Sequence, residues 1–174
     1  MNMLFIGLHG TGKSTVEVLL AEEINPRKIF LIAKDPWQKD ARTGELTFPK
    51  HFIRTDVSIL SDERAHERKH AIIIVDDSAA IRDNWKMFES VMENPRQNAT
   101  DFMLSMHAYE LCPPKVFGYC NVAFCFRTSS DPPSYVRWGL KKQMAWARAY
   151  ITEYGNIYSY FIVNNTKGTI KIVL

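Results

Sequence analysis

No run of apolar residues approaches the roughly 18 that a membrane span requires. The only early run, residues 3–6, is far shorter than a signal-peptide core, so a chain neither secreted by a classical signal nor membrane-spanning is expected. Cysteine is scarce as well. Cys112, Cys120 and Cys125 cannot pair completely and lack the repeated short spacings of a zinc site, which excludes a disulfide scaffold and points to a reducing, intracellular compartment. Excess charge is small: 22 Lys and Arg against 19 Asp and Glu leave +3, too little by itself to announce a nucleic-acid or membrane partner, so any basic surface must be local. No Gly/Ser or Pro-rich linker and no internal repeat divides the sequence, and a single domain over residues 1–174 is expected. The densest charge run, residues 61–70, alternates in sign and reads as an exposed connector helix.

What is present is a succession of short apolar runs at residues 3–6, 29–33, 71–75, 102–106, 122–126 and 158–163, with 169–173 as a hairpin partner at the end. Runs of strand length separated by longer helical or irregular stretches indicate an α/β fold with a mostly parallel sheet flanked by helices. Helices are expected over 13–23, 78–93 and 134–153. In the last, Leu140, Met144, Ala147 and Ile151 recur at i, i+4, i+7 and i+11 and form a core-facing stripe. Arg137, Lys141 and Arg148 share the adjacent sector, with Lys142, Trp138, Trp146 and Tyr150 nearby. Residues 35–50, with two prolines and a glycine, read as an exposed excursion.

Two motifs carry chemistry. Gly7-Leu8-His9-Gly10-Thr11-Gly12-Lys13-Ser14 fits GxxxxGK[ST], follows an apolar strand directly and opens a helix containing Val16, Leu19 and Leu20. Gly7, Gly10, Thr11, Gly12, Lys13, Ser14 and Thr15 are therefore candidate nucleotide-binding residues. Glycines let the backbone wrap phosphate oxygens, and the helix N-terminus offers unpaired N–H groups and the positive end of its dipole. Lys13 would reach the β- and γ-phosphates of ATP, and Ser14 would ligate Mg2+. Without a ligand, the same residues make a Gly-rich turn capped by Ser14 or Thr15. The second motif is the apolar run 71–75 ending in Asp76 and Asp77, as a Walker B strand should. Asp76 would hold the Mg2+ shell and Asp77 would polarise the attacking water; otherwise Asp76 caps the next helix and Asp77 is solvated. Together the motifs define a P-loop nucleotide-binding domain and leave open a small kinase or a mechanical ATPase.

After the acidic strand come Asn94-Pro95-Arg96-Gln97-Asn98, a strand ending in Ser105-Met106-His107, then Glu110-Leu111-Cys112-Pro113-Pro114, and a further strand ending in Phe124-Cys125-Phe126-Arg127-Thr128. This order, from Gly7 to about Thr128, resembles the FtsK/HerA superfamily of DNA-pumping P-loop ATPases, in particular the small viral genome-packaging ATPases and the related Zot-like phage-assembly ATPases. His107 stands where that family usually carries a polar sensor Gln, and Asp77 replaces its common Glu. The resemblance implies a trans-acting arginine finger, with Arg96 preferred over Arg127. It also implies a homo-oligomeric ring, a hexamer by family habit, with viral DNA and capsid or vertex proteins as partners. Host cytoplasm, with or without virion association, would be the location. Arg137, Lys141 and Arg148 would meet DNA phosphates, although a solvated helix whose aromatics complete the core gives the same pattern. The alternatives are a nucleoside or metabolite kinase, for which no lid-like arginine cluster follows the third strand, a Zot-like assembly ATPase, and a nucleotide-dependent switch.

Overall fold

Each apolar stretch of strand length forms a strand in the computed structural model, which describes residues 1–24, 28–93, 99–134, 136 and 138–174. In chain order the elements begin with β1 (Asn2–Ile6), α1 (Lys13–Ile24), β2 (Lys28–Ala33), β3 (Ile53–Arg54), β4 (Ala71–Asp76), α2 (Trp85–Glu93) and β5 (Asp101–Met106). They continue with α3 (Pro114–Tyr119), β6 (Val122–Phe126), α4 (Trp138–Glu153), β7 (Tyr160–Asn164) and β8 (Thr169–Val173). Neighbouring strands run in the order β3-β2-β4-β5 in one part of the chain and β1-β6-β7-β8 in the other. The described residues fall into two compact units, Met1 with Ser14–Ser105 and Asn2–Lys13 with Met106–Leu174.

In the first unit, β4 is paired in parallel on both sides. Lys28 to Ala33 align with Ala71 to Asp76, and Ile72 to Val75 align with Asp101 to Leu104. A strand enclosed in this way must be apolar on both faces, and Ala71, Ile72, Ile73, Ile74 and Val75 are at most 3% exposed. Each such side chain contributes roughly 1.5–3 kcal/mol by leaving water, Ala71 less. Asp76 ends the strand at the point where burial relaxes. Two stretches differ from expectation. Residues 61–70 form no continuous helix; 3-10 turns occupy Val57–Leu60 and Asp62–Arg64, and Arg68 lies fully buried, donating to Ile59 O and Ser61 O. The excursion at 35–50 is gathered by Arg54, whose guanidinium donates to the carbonyls of Pro36, Phe48, Pro49, Lys50 and Phe52 and stacks 4.6 Å from the Trp37 ring centroid. Arg54 also belongs to β3, a two-residue strand that no periodicity could announce.

In the second unit, β6 pairs in parallel with β1 and antiparallel with β7, and the expected terminal hairpin is β7–β8. The core stripe of α4 is buried at Met144, Ala147 and Ile151, as its spacing predicts. Among the described residues the helix runs from Trp138, and ahead of it Val136 N donates to Pro133 O in a turn. Residues 78–93 likewise split, with a 3-10 segment over Ser78–Asn84 before α2.

Candidate functional site

In the second unit, the Gly-rich loop is fixed by its own backbone. Gly7 N donates to Met106 O at 3.0 Å and Leu8 N to Arg127 O at 2.9 Å, so the ends of β5 and β6 hold its first two amides. Gly7 admits no side chain, since a Cβ there would stand 2.6 Å from Phe126 Cβ. Gly10 and Gly12 have φ of +72° and +88°, values that favour glycine. The buried Thr11 hydroxyl donates to Leu8 O at 2.8 Å. Lys13 is 7% exposed, and its Nζ donates to Gly7 O at 2.7 Å and Leu8 O at 2.9 Å. The lysine ammonium is thus folded along the inside of the loop, where a phosphate oxygen would compete with those carbonyls for it.

In the first unit, Ser14 Oγ lies 3.5 Å from Asp76 Oδ1. The pairing joins the first turn of α1 to the end of the acidic strand, as the two motifs require. A hydroxyl and a carboxylate are hard oxygen donors, and neighbouring ligands of Mg2+ stand about 3 Å apart, so this pair fits that ion. Among the described residues no cluster of three His, Cys, Asp or Glu could hold a metal by protein ligands alone. Mg2+ is the ion that tolerates so few, because phosphate and water complete its shell. Asp77 has φ +73°, a left-handed conformation that Asp and Asn tolerate better than other non-glycine residues. The chain thereby leaves the strand abruptly after Asp76. Thr15 is exposed.

Glu17 was not foreseen. The expected apolar side of α1 included Leu19, which is 62% exposed, whereas Lys13, Glu17 and Ala21 share the buried side at i, i+4 and i+8. Glu17 is fully buried and accepts from Ser105 Oγ at 2.8 Å, which ties α1 to the end of β5 two residues before His107. His9 was also passed over. Its ring lies against that of His107, with centroids 3.8 Å apart, so the imidazole that follows β5 touches the Gly-rich loop. The signal available in sequence for each was weak: one charge on a helical spacing, and one variable position inside a motif.

The basic residues separate. Arg96 and Arg137 lie outside the described residues. Arg127 is turned into its own unit, where its guanidinium donates to Ile151 O, Thr152 O and Gly155 O and caps the C-terminus of α4. The group is thus held by three carbonyls of the same chain. Arg148 pairs with Asp131 at 2.8 Å and donates to Ser129 O and Ser130 O, which fixes the loop before α4. Lys141 is half-buried on the same sector. Trp146, Tyr150 and Tyr154 run along a different side of α4 as a ladder of ring contacts, 5.4 Å and 4.9 Å between centroids. None of the three cysteines is in a disulfide, all three are buried, and burial pushes the Cys125 thiol up to about 12.

A scan against protein-family models finds no match, and no curated protein matches the sequence. Solved structures do match. The genome-packaging NTPase B204 of Sulfolobus turreted icosahedral virus 2, in complex with AMPPCP, superposes with a TM-score of 0.65 at 13% identity, covering 99% of this chain and 96% of that one. ATPases 2 and 3 of EssC from Geobacillus thermodenitrificans give 0.57 at 10% identity, covering 99% of this chain and 39% of that one. The N-terminal domain of zonular occludens toxin from Neisseria meningitidis gives 0.51 at 11% identity, covering 99% and 93%. The chain shares its fold with these three proteins.

Proposed function

From this FtsK/HerA-type P-loop fold, we propose that the 174 residues act as one ATPase domain, a motor that moves viral DNA into a capsid. The observation that carries the proposal is the Ser14–Asp76 pairing at 3.5 Å, which brings together the two motifs, on a fold shared over nearly the whole chain with a genome-packaging NTPase. Lys13 and the loop amides bind the β- and γ-phosphates, and Ser14 and Asp76 hold Mg2+, which neutralises charge on the phosphate oxygens. Asp77 takes a proton from water as the water oxygen attacks the γ-phosphorus. The bridging P–O bond breaks, ADP leaves, and inorganic phosphate is formed. His107 senses the γ-phosphate, and Arg96 of a neighbouring subunit stabilises the transferring charge. The resemblance supports a ring, a hexamer by family habit, acting in the host cytoplasm with capsid or vertex proteins. Arg137, Lys141 and Arg148 are the DNA-facing candidates.

The fate of the γ-phosphate separates this from a kinase. With γ-labelled ATP, Mg2+ and a panel of nucleoside monophosphates and small hydroxyl acceptors, the label should emerge as inorganic phosphate. Label transferred to an acceptor would contradict the motor and favour the kinase.

A further inference from the structure

We infer that Tyr158 is the stacking platform for the nucleobase, an inference that rests on the P-loop's binding a nucleoside triphosphate. A Cβ placed on Gly12 would stand 3.4 Å from Tyr158 Cδ1, so the edge of the phenol ring borders the space that a side chain on the loop's last glycine would fill. The ring nevertheless stays 44% exposed. Exposed aromatic side chains are common, but this one is carried by a loop held at nearly every residue. Tyr158 N donates to Asn156 Oδ1 at 2.7 Å, Asn156 N to Ser159 Oγ at 2.8 Å, and Ser159 N to Asn156 O at 3.1 Å. Gly155 leaves no room for a side chain, because a Cβ there would stand 2.6 Å from both Ile151 O and Ser159 Oγ.

Arg127 links this loop to the phosphate site. Its carbonyl accepts from Leu8 N at 2.9 Å, while its guanidinium donates to Gly155 O at 2.7 Å and to the end of α4. One residue therefore fixes both the start of the Gly-rich loop and the turn that presents Tyr158. A flat, partly exposed π surface carries no cation to attract phosphate, and its chemistry matches the other end of the ligand, the base. Set beside the glycine that precedes Lys13, it stands where a base can stack while the phosphates occupy the loop amides. A purine, with the larger ring system, is the class of base it suits.

The test compares two probes by calorimetry on the full chain: an ATP analogue with a methylene bridge between the β- and γ-phosphates, and inorganic tripolyphosphate. Tyr158→Leu should weaken the analogue about tenfold and leave tripolyphosphate unchanged, whereas Tyr158→Phe should keep both affinities. Equal weakening of both probes, or none, would overturn the platform. A wild type that bound tripolyphosphate as tightly as the analogue would also overturn it while leaving the phosphate site standing. A wild type that bound neither would overturn the P-loop function and the platform together. Circular dichroism of the Leu variant checks that an exposed ring was removed without loss of fold.

Discussion

Asp76 and Asp77 are adjacent carboxylates in different backbone states, one closing an extended strand and the other at φ +73°. That difference separates their proposed work. Asp76 stands by Ser14 Oγ and is proposed for the ion's shell, while Asp77, past the end of the strand, is proposed to act on the water. Asn is the proper replacement at both, since it keeps the shape, and at 77 it also keeps the tolerance for a left-handed backbone. Asp76→Asn should weaken Mg2+-dependent nucleotide binding by about tenfold, and Asp77→Asn should leave binding intact and lower turnover about a hundredfold. Titration calorimetry and phosphate release, run on the same preparations, check both. Identical behaviour of the two variants in binding and turnover would remove the division of roles.

At the scale of elements, the end of α4 is where Arg127 acts, through carbonyls that a helix terminus leaves without intrahelical partners. Arg127→Ala should lower affinity for the ATP analogue more than for tripolyphosphate, since the Tyr158 turn loosens while the loop amides remain. A subunit-interface role predicts instead lost turnover with both affinities unchanged. Much of the element pattern could be read from the sequence, for a physical reason: strands buried on both faces leave continuous apolar runs, and a strand followed by GxxxxGKS and a helix admits few geometries. What could not be read depended on where single polar side chains turned. Nothing in the order of residues says that Arg127 folds back on α4, that Arg148 holds Ser129 and Ser130, or that Glu17 lies on the buried side of α1 in place of Leu19. Arg54 and Arg68 organise irregular segments by donating to several carbonyls each, an effect without period and so without a signature in sequence. Ser14 and Asp76, 62 residues apart, were the readable exception because each motif implies the other.

For the whole molecule, the proposed ring requires that one subunit complete another's site. Arg96→Ala and Lys13→Ala chains should each be inactive alone, and a co-assembled mixture should regain part of the turnover, because some interfaces would join an intact loop to an intact arginine. No recovery in a mixture shown to co-assemble would remove the trans finger. The central proposal, an ATP-driven DNA motor, is tested most directly by Mg2+-dependent phosphate release from ATP by the full chain, with and without single- and double-stranded DNA, beside Lys13→Ala. Wild-type release should rise with DNA of at least one kind, more so at low salt where phosphate contacts are strongest, and should fall about a hundredfold or more in Lys13→Ala. Release indifferent to every DNA at low salt, or undiminished in a folded Lys13→Ala chain, would contradict it.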